Sequence, residues 1–395
     1  MWQQQQFDCI VVGGGPAGTT FAQVASRGGL SVLVLEKDRD IGMPVRCGEA
    51  ISDKGLRYFH DPDPRWIQST IDRIKLTAPN GTEIEFDLND KGYILDRRIF
   101  DYDLAHMAVQ EGAMVVTKAY VNGLIIDNDM VCGVKGNYLN TPFEIQAKFV
   151  IGADGVESRV GRWGGLRTQV KLKDMESGIQ KTVSGIEVQS NKFEFYLSRE
   201  WAPGGYLWVF PKGNKSANIG LAISGYYAKE GKSAQKFLDE FLQWKYPECS
   251  VLTTVVGGIP VDKTLKCMVA DGLMLVGDAA HTVNPMTGGG ISSGMMSGMA
   301  AAETAIELSH NKKEPTRANL NSYEKKWTKL RGKKHEKYYR IKEAIFRFDD
   351  DDLNRIADGI AAVKEEDRSL RKLFSIAVSK KPTLLIDVMR LFTGL

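Results

Sequence analysis

The sequence has few cysteines and almost no excess of charge of either sign. Five cysteines occur in 395 residues, and they are scattered, odd in number and without the paired spacing of zinc ligands. We therefore expect neither a disulfide framework nor a metal site, and a reducing, cytoplasmic setting follows. Lysine and arginine number 52 against 49 aspartates and glutamates, a net charge of +3, which is too small to indicate a nucleic-acid partner.

Apolar runs long enough to cross a bilayer are also missing. The first eight residues are polar and include no basic segment followed by an apolar core, so we expect no signal peptide. These absences leave open a peripheral contact with a membrane surface. The hydrophobic fraction of 43% and the charged fraction of 26% are typical of soluble globular proteins. The length exceeds what one compact core usually holds, so we expect two or three domains.

A glycine turn follows the first apolar run, residues 7–12, which is typical of a buried parallel strand. The turn spans Gly13, Gly15, Ala17 and Gly18 in the pattern G-x-G-x-x-G and leads into a predicted helix, residues 19–27. In such a turn the first glycine permits the tight bend, the second lets a pyrophosphate approach the backbone, and the third lets helix and strand pack closely. The amides at the helix start favour phosphate.

An acidic residue, Glu36, ends the second predicted strand, 31–35, where a carboxylate can accept hydrogen bonds from ribose hydroxyls. The alternative is a chance glycine turn with a solvent-facing glutamate. Strand, turn, helix and acid in this order favour a dinucleotide site, but they do not separate FAD from NAD(P).

Two later predicted strands also end in glycine turns, G-A-D-G holding Asp154 and G-D-A-A-H holding Asp278. Asp278 could bind ribityl hydroxyls or, alternatively, cap a helix. A long helix rich in small residues is predicted at 291–308, directly after Gly290, so the amides of Gly290 and Ile291 can face the edge of a flavin that becomes negative on reduction. Tight packing in a core is the alternative explanation for that helix.

The three segments together resemble the flavoprotein superfamily of aromatic hydroxylases, flavin-dependent halogenases and geranylgeranyl reductases. P-V-R-C-G-E-A at 44–50 is similar to the P-x-x-C-x-G element of geranylgeranyl reductases. Y-L-W-V-F-P at 206–211, with G-L-A at 220–222, is similar to their Y-x-W-x-F-P…G-x-G element. The resemblance covers about the first 310 residues. Ala50 and Ala222 stand where members often have glycine, which leaves the substrate less defined than the cofactor.

The resemblance implies that FAD is the cofactor. It also implies a cofactor contact from Arg98 at the start of a helix; Arg97 is a competing candidate, and a solvated arginine is the alternative. In the loop 44–50, Arg46 could also reach the cofactor, and Cys47 and Gly48 are further candidate contacts. The thiol of Cys47 would lie beside the flavin and could donate a proton. The alternative is that Cys47 is a small buried hydrophobe.

Tyr206, Trp208 and Phe210 alternate on a predicted strand, so all three should point to one face of a sheet. An aromatic face suits an apolar substrate tunnel, and we predict that these three side chains bind substrate. Tyr206 is also the second candidate for a proton donor. Ordinary packing of a sheet face against a helix is the alternative.

The predicted fold is α/β, a Rossmann-type FAD-binding domain with an inserted antiparallel β-rich substrate domain and a C-terminal helical lobe. The predicted limits are 1–75, 98–172 and 262–310 for the FAD-binding domain, 76–97 and 173–261 for the substrate domain, and 311–395 for the lobe.

The predicted activity is reduction of isolated C=C bonds in geranylgeranyl chains, on an isoprenoid ether-lipid precursor. A monooxygenase or halogenase of the same superfamily is the alternative, and a lipid-binding or electron-transfer flavoprotein ranks lower. No second dinucleotide turn occurs, so NAD(P)H would bind transiently or a ferredoxin would supply electrons. Residues 368–395 mix apolar and basic residues, which fits a helix at a membrane surface, a closure of the substrate tunnel, or a packed terminal helix.

Overall fold

The computed structural model describes residues 2–213 and 215–368, together with residues 375, 376 and 379. By its internal contacts the chain divides into two compact units. Unit 1 comprises residues 1–45, 97–170 and 260–336, and unit 2 comprises residues 46–96, 171–259 and 337–395. The prediction for residues 368–395 lies almost wholly outside the described residues.

The strands, numbered in chain order, are β1 Phe7–Val12, β2 Val32–Leu35, β3 Ala50–Ser52, β4 Ile67–Thr77, β5 Glu83–Leu95, β6 Met114–Val116, β7 Ala119–Asp127, β8 Met130–Tyr138, β9 Thr141–Gly152, β10 Met175–Ser184, β11 Lys192–Tyr196, β12 Tyr206–Pro211, β13 Ser216–Ser224, β14 Ser250–Pro260, β15 Val269–Ala270 and β16 Leu273–Leu275. The helices are α1 Pro16–Arg27, α2 Asp53–Arg57, α3 Arg97–Gln110, α4 Arg159–Trp163, α5 Gly225–Lys229, α6 Ala234–Lys245, α7 Ile291–His310, α8 Arg317–Trp327, α9 Lys333–Ile345 and α10 Asp350–Ala361. A π-helical turn, Thr328–Gly332, joins α8 to α9. Among the residues that the structure describes, no helix is both long and apolar enough to cross a bilayer.

Unit 1 is built on a mainly parallel sheet with the strand order β15-β16-β9-β1-β2-β6. β1 lies between β2 and β9 and is parallel to both, with Cys9 opposite Val32 on one side and Phe149 on the other. Apart from Asp8, which is half-buried, the residues of β1 are buried and apolar, as is typical of a central parallel strand. The antiparallel strands β7 and β8 extend the sheet from β9.

Two helices of unit 1 pack unusually closely because small residues face each other. A Cβ built on Gly298 of α7 would lie only 2.2 Å from the carbonyl oxygen of Ala17 in α1. Glycine at this position therefore lets the two helix backbones approach. The many glycines and alanines of α7 allow this packing. The close approach also brings the N-terminus of α7 to the glycine turn that precedes α1.

Unit 2 is built on an eight-stranded sheet with the order β14-β10-β13-β12-β11-β4-β5-β3. From β10 to β3 in this order, neighbouring strands are antiparallel, as predicted, except for β11 and β4, which are parallel. One face of the sheet carries Leu207, Val209 and Leu221 and packs against Phe241 of α6. The other face carries aromatic side chains and is described with the site below.

The predicted α/β class with a Rossmann-type unit is confirmed. The contact units differ from the predicted domain limits in two places. Residues 46–75, assigned from the sequence to the FAD-binding domain, belong to unit 2, where β3, β4 and β5 complete the sheet. The residues after 310 divide at Glu336 between the two units. The three-domain division itself stays a prediction.

Candidate active site

The glycine turn of unit 1 shows which of its glycines the fold requires. A Cβ on Gly13 would lie 2.2 Å from the carbonyl oxygen of Ala153, and one on Gly18 would lie 2.1 Å from that of Gly13. At Gly15, by contrast, a Cβ would meet no atom within 4 Å. Contacts within unit 1 therefore explain Gly13 and Gly18, whereas Gly15 borders open space. That space suits a pyrophosphate, since α1 begins with Pro16 and has no side-chain cap at Gly15.

Glu36 lies beside this turn, directly after β2. Its Oε2 accepts a hydrogen bond from the amide of Gly14 at 2.8 Å, and its Oε1 accepts one from the amide of Asp38 at 2.8 Å. A carboxylate has about four acceptor positions, so capacity remains for ribose hydroxyls. The structure thus places Glu36 where a dinucleotide would require it; its role stays a prediction.

Asp154 and Asp278 are two half-buried acids that follow the neighbouring parallel strands β9 and β16. Oδ2 of Asp154 accepts from the amide of Val160 at 3.0 Å, while its Oδ1 is buried and has no hydrogen-bond partner in the described part of the chain. Burial raises the pKa of Asp154, against the hydrogen bonds from the backbone. Burial also raises the pKa of Asp278 to about 6, partly opposed by Arg97. An unsatisfied buried oxygen is costly, which is consistent with a polar ligand at this strand end.

The N-terminus of α7 meets Asp278. A Cβ on Gly290 would lie 3.2 Å from Oδ1 of Asp278, and Gly290 offers the helix no side-chain cap. The first amides of α7, including that of Ile291, therefore begin the helix without intrahelical acceptors. Amides of this kind and their partial positive charge suit the negative edge of a reduced flavin.

The two candidate arginines at the start of α3 differ in their contacts. Arg97 forms a bidentate pair with Asp101, Nε to Oδ1 at 2.5 Å and Nη2 to Oδ2 at 2.6 Å, and both side chains are largely buried. Arg98 is exposed. Which of the two arginines contacts the cofactor stays a prediction. His281 is buried and its Nε2 lies 3.1 Å from the carbonyl oxygen of Thr168, which supports a structural role.

Unit 2 holds the loop that carries Arg46, Cys47 and Gly48. The carbonyl oxygen of Cys47 accepts a hydrogen bond from Nε2 of Gln180 at 2.9 Å, and Sγ accepts one from the amide of Glu49 at 3.2 Å. A Cβ on Gly48 would lie 3.0 Å from the ring of Phe210. The contacts with Gln180 and Phe210 hold the loop against the sheet of unit 2. Cys47 itself is half-buried.

The aromatic face of unit 2 places Tyr206, Trp208 and Phe210 together. The ring centroids of Tyr206 and Trp208 are 5.9 Å apart, and those of Trp208 and Phe210 are 6.1 Å apart. Nε1 of Trp208 donates to Oε1 of Gln180 at 3.1 Å, the same glutamine that holds Cys47. Burial, and then Glu176 and Cys47, raise the pKa of Tyr206 above its usual range. The three side chains share one face; substrate binding by them stays a prediction.

Sequence reasoning did not single out four polar residues of unit 2: Glu49, Gln180, Lys212 and Asn218. Oε2 of Glu49 accepts from Nζ of Lys212 at 2.5 Å and from Nδ2 of Asn218 at 2.6 Å. A signal was present, because Glu49 is a charged residue between Gly48 and the short strand β3, two residues after Cys47. Glu176 was also missed: burial raises its pKa to about 7, with Lys342 opposing.

The parallel sheet, the glycine turn and the acid after β2 define unit 1 as a Rossmann-type dinucleotide-binding unit. Comparison with known proteins supports this class. Residues 11–74 match the NAD(P)-binding Rossmann-like domain family, and residues 174–259 match the geranylgeranyl reductase catalytic domain family.

Relatives of known name match over the full length. The chain is 40% identical to a digeranylgeranylglycerophospholipid reductase of Methanocella arvoryzae, covering 98% of this chain and 100% of the relative. It is likewise 40% identical to digeranylgeranylglycerophospholipid reductase 1 of Methanococcoides burtonii, covering 99% and 96%. The chain belongs to the digeranylgeranylglycerophospholipid reductase family.

Solved structures agree with this assignment. The crystal structure of a geranylgeranyl bacteriochlorophyll reductase-like protein from Thermoplasma acidophilum has a TM-score of 0.91 and 33% identity, covering 98% of this chain and 99% of that one. A flavin-dependent brominase variant has a TM-score of 0.74 at 16% identity, covering 99% and 100%. At 16% identity the similarity to the brominase shows a shared fold and no more. The predicted geranylgeranyl reductase family is therefore confirmed, and the halogenase alternative is not supported.

Proposed function

We propose that this protein is an FAD-dependent reductase that saturates isolated C=C bonds of geranylgeranyl chains on an isoprenoid ether-lipid precursor. The observation that carries the proposal is the full-length similarity to digeranylgeranylglycerophospholipid reductases at 40% identity. The match of residues 174–259 to the geranylgeranyl reductase catalytic domain includes the aromatic strand β12. The site residues below are proposed on the geometry within each unit.

FAD fits the residues of unit 1. The open space at Gly15 would receive the pyrophosphate, with the first amides of α1, including those of Ala17 and Gly18, facing it. Glu36 would hold the adenosine ribose, and the orphaned oxygen of Asp154 and the carboxyl of Asp278 would meet hydroxyls of the cofactor. The N-terminus of α7 would hold the flavin edge. When bound and reduced, FAD supplies a hydride.

The chain must then supply a proton and hold the alkene. An isolated trisubstituted alkene is weakly polarised, so positioning and a nearby acid provide most of the catalysis. A thiol is a stronger acid than a phenol, and the pKa of Tyr206 is raised further by burial. Cys47 is therefore the preferred donor, and Tyr206, Trp208 and Phe210 are assigned to the apolar chain of the substrate.

Two further partners are proposed from the chemistry. Reduced flavin must be regenerated by NAD(P)H or by a ferredoxin. A lipid substrate also brings the protein, proposed to be cytoplasmic, to a membrane surface.

In unit 1, a cavity of about 740 Å³ is lined by the α8–α9 segment and the loop before β15. Its lining has an excess of positive charge, which suits anionic lipid: five lysines, Lys263, Lys266, Lys325, Lys329 and Lys333, against two glutamates, Glu324 and Glu336.

The reaction can be tested without oxygen. The protein is reduced with dithionite under argon and mixed with a geranylgeranyl lipid. We expect the absorbance of oxidised flavin to return and the lipid mass to rise by pairs of hydrogens. Oxygenated lipid, or turnover only after air is admitted, would instead identify a monooxygenase.

A further inference from the structure

Glu49 has a backbone conformation and a buried charge that both cost free energy. Its φ is +68°, in the left-handed region that glycine adopts without strain and other residues rarely do. Its carboxylate is buried, which is costly unless the charge is paired and hydrogen-bonded. A glycine would remove both costs, so the glutamate side chain must serve a purpose at this position.

The carboxylate of Glu49 anchors its loop to the centre of the unit 2 sheet. Lys212, directly after β12, and Asn218, within β13, both donate to Oε2 of Glu49. Asn218 is fully buried, and its Oδ1 accepts a hydrogen bond from Oγ1 of Thr182 on β10 at 2.7 Å. One carboxylate therefore ties the loop to three adjacent strands, and Lys212 compensates its charge.

The same residue reaches the Cys47 thiol through its backbone. The amide of Glu49 donates to Sγ at 3.2 Å, while Gln180 holds the carbonyl oxygen of Cys47 at 2.9 Å. The thiol thus lies between two fixed points, the Gln180 amide and the Glu49 carboxylate. Loss of the second point would free the amide that faces the sulfur.

We propose that Glu49 is a positioning residue for Cys47, which it holds through the Lys212–Asn218 anchor and its own amide. The inference rests on the proposed function of Cys47 as proton donor. When the S–H bond breaks, the proton goes to one alkene carbon, the other carbon would receive the hydride that reduced FAD supplies, and the electron pair of the S–H bond stays on sulfur. The amide of Glu49 then stabilises the thiolate, and a proton from solvent restores the thiol.

The test compares Glu49→Ala with Glu49→Gln. Gln keeps an oxygen for Lys212 and Asn218, whereas Ala removes the anchor. Cys47 alkylation by iodoacetamide is followed by mass spectrometry of its peptide, and flavin reoxidation by geranylgeranyl lipid is followed anaerobically. For Ala we expect alkylation about 10-fold faster, because release of the loop exposes the half-buried thiol by more than the lost amide contact lowers its reactivity. We expect reoxidation per bound flavin about 10²-fold slower, because small misplacements of reacting groups are that costly. Gln should stay within about 3-fold of the parent, as expected if geometry rather than charge matters.

A matched control is Glu85→Ala, which breaks another carboxylate–lysine pair of the same sheet, Glu85 with Lys192 at 2.6 Å. It should lower the Tm yet leave Cys47 alkylation unchanged. If Glu49→Ala does not fold, Glu49→Gly suits the positive φ and removes the same anchor. Parent-like alkylation of Cys47 in the Ala or Gly variant overturns the positioning role. If alkylation is altered but the Cys47→Ser protein is fully active, Glu49 still positions Cys47. Only the assignment of Cys47 as proton donor is then overturned.

Discussion

At the scale of single residues, Gly15 and Cys47 test different halves of the proposed chemistry. Gly15 belongs to the proposed cofactor site of unit 1, where a Cβ would meet no protein atom within 4 Å. Cys47 belongs to the anchored loop of unit 2, where Gln180 and Glu49 contact it. A defect in cofactor binding and a defect in proton transfer should therefore be separable by mutation.

Gly15→Val should abolish FAD binding without unfolding the protein, because the new side chain fills the space meant for the pyrophosphate. The measurement is the flavin-to-protein absorbance ratio after purification. Gly257→Val in β14 is the matched control, because a Cβ there also meets no atom within 4 Å. That control should retain its flavin. A Gly15→Val protein with full flavin content would contradict the assigned turn.

Cys47→Ser should bind FAD normally and reduce alkenes about 10²–10⁴-fold more slowly, since a hydroxyl is a far weaker acid than a thiol. The rate of anaerobic flavin reoxidation at saturating geranylgeranyl lipid measures this loss. Cys132→Ser, a second half-buried cysteine, should react at the parent rate. A parent-like rate for Cys47→Ser would exclude the donor role and direct attention to Tyr206 or an ordered water.

Glu176 makes the stability of the protein depend on pH. Burial raises its folded-state pKa to about 7, against about 4.3 in an unfolded chain. Between these values the folded state keeps a proton that the unfolded state has lost, so the free energy of unfolding falls as pH rises. Glu176→Gln should remove this contribution. Relative to that of the parent, the free energy of unfolding of the variant should rise by up to about 1.4 kcal/mol per pH unit from about pH 4.5 to 7. Urea unfolding at several pH values measures the difference; a difference independent of pH would refute the shift.

At the scale of elements, local patterns predicted the strands and helices of unit 1 well. β1 was predicted at its observed limits, and α7, predicted at 291–308, extends to His310. α1 begins at Pro16, three residues before the predicted start, because the glycine turn overlaps the first helical turn. Each of these features depends on residues close in sequence, where periodicity and turn chemistry are informative.

The elements of unit 2 depended on long-range pairing that local patterns do not encode. β4 is parallel to β11, with Arg73 opposite Lys192, and no local signal marks such a partner. The anchor of Cys47 was missed for the same reason: Glu49 meets Lys212 and Asn218 across 163 and 169 residues of sequence. The motif around Cys47 could be recognised from the sequence, but the residues that hold it required the folded sheet.

At the scale of the whole molecule, a net charge of +3 conceals a local excess of positive charge. Lys325, Lys329 and Lys333 line the same cavity in unit 1, and all three are exposed. In the described part of the chain, none of these three lysines forms an ion pair with an acidic side chain. Like charges four residues apart along helical segments repel each other. An anionic partner would therefore reduce the electrostatic repulsion between these lysines.

The triple variant Lys325→Ala/Lys329→Ala/Lys333→Ala should therefore bind anionic vesicles less tightly. Each lysine near an anionic surface contributes about 1 kcal/mol, so three contribute about 3 kcal/mol, or roughly 100-fold in affinity. Co-sedimentation with phosphatidylglycerol vesicles, against neutral phosphatidylcholine vesicles, measures the effect, which should shrink as salt is raised. Lys37→Ala/Lys135→Ala/Lys313→Ala removes the same charge from exposed sites that do not line the cavity. Equal weakening by both triple variants would show that the net charge, and not this surface, governs binding.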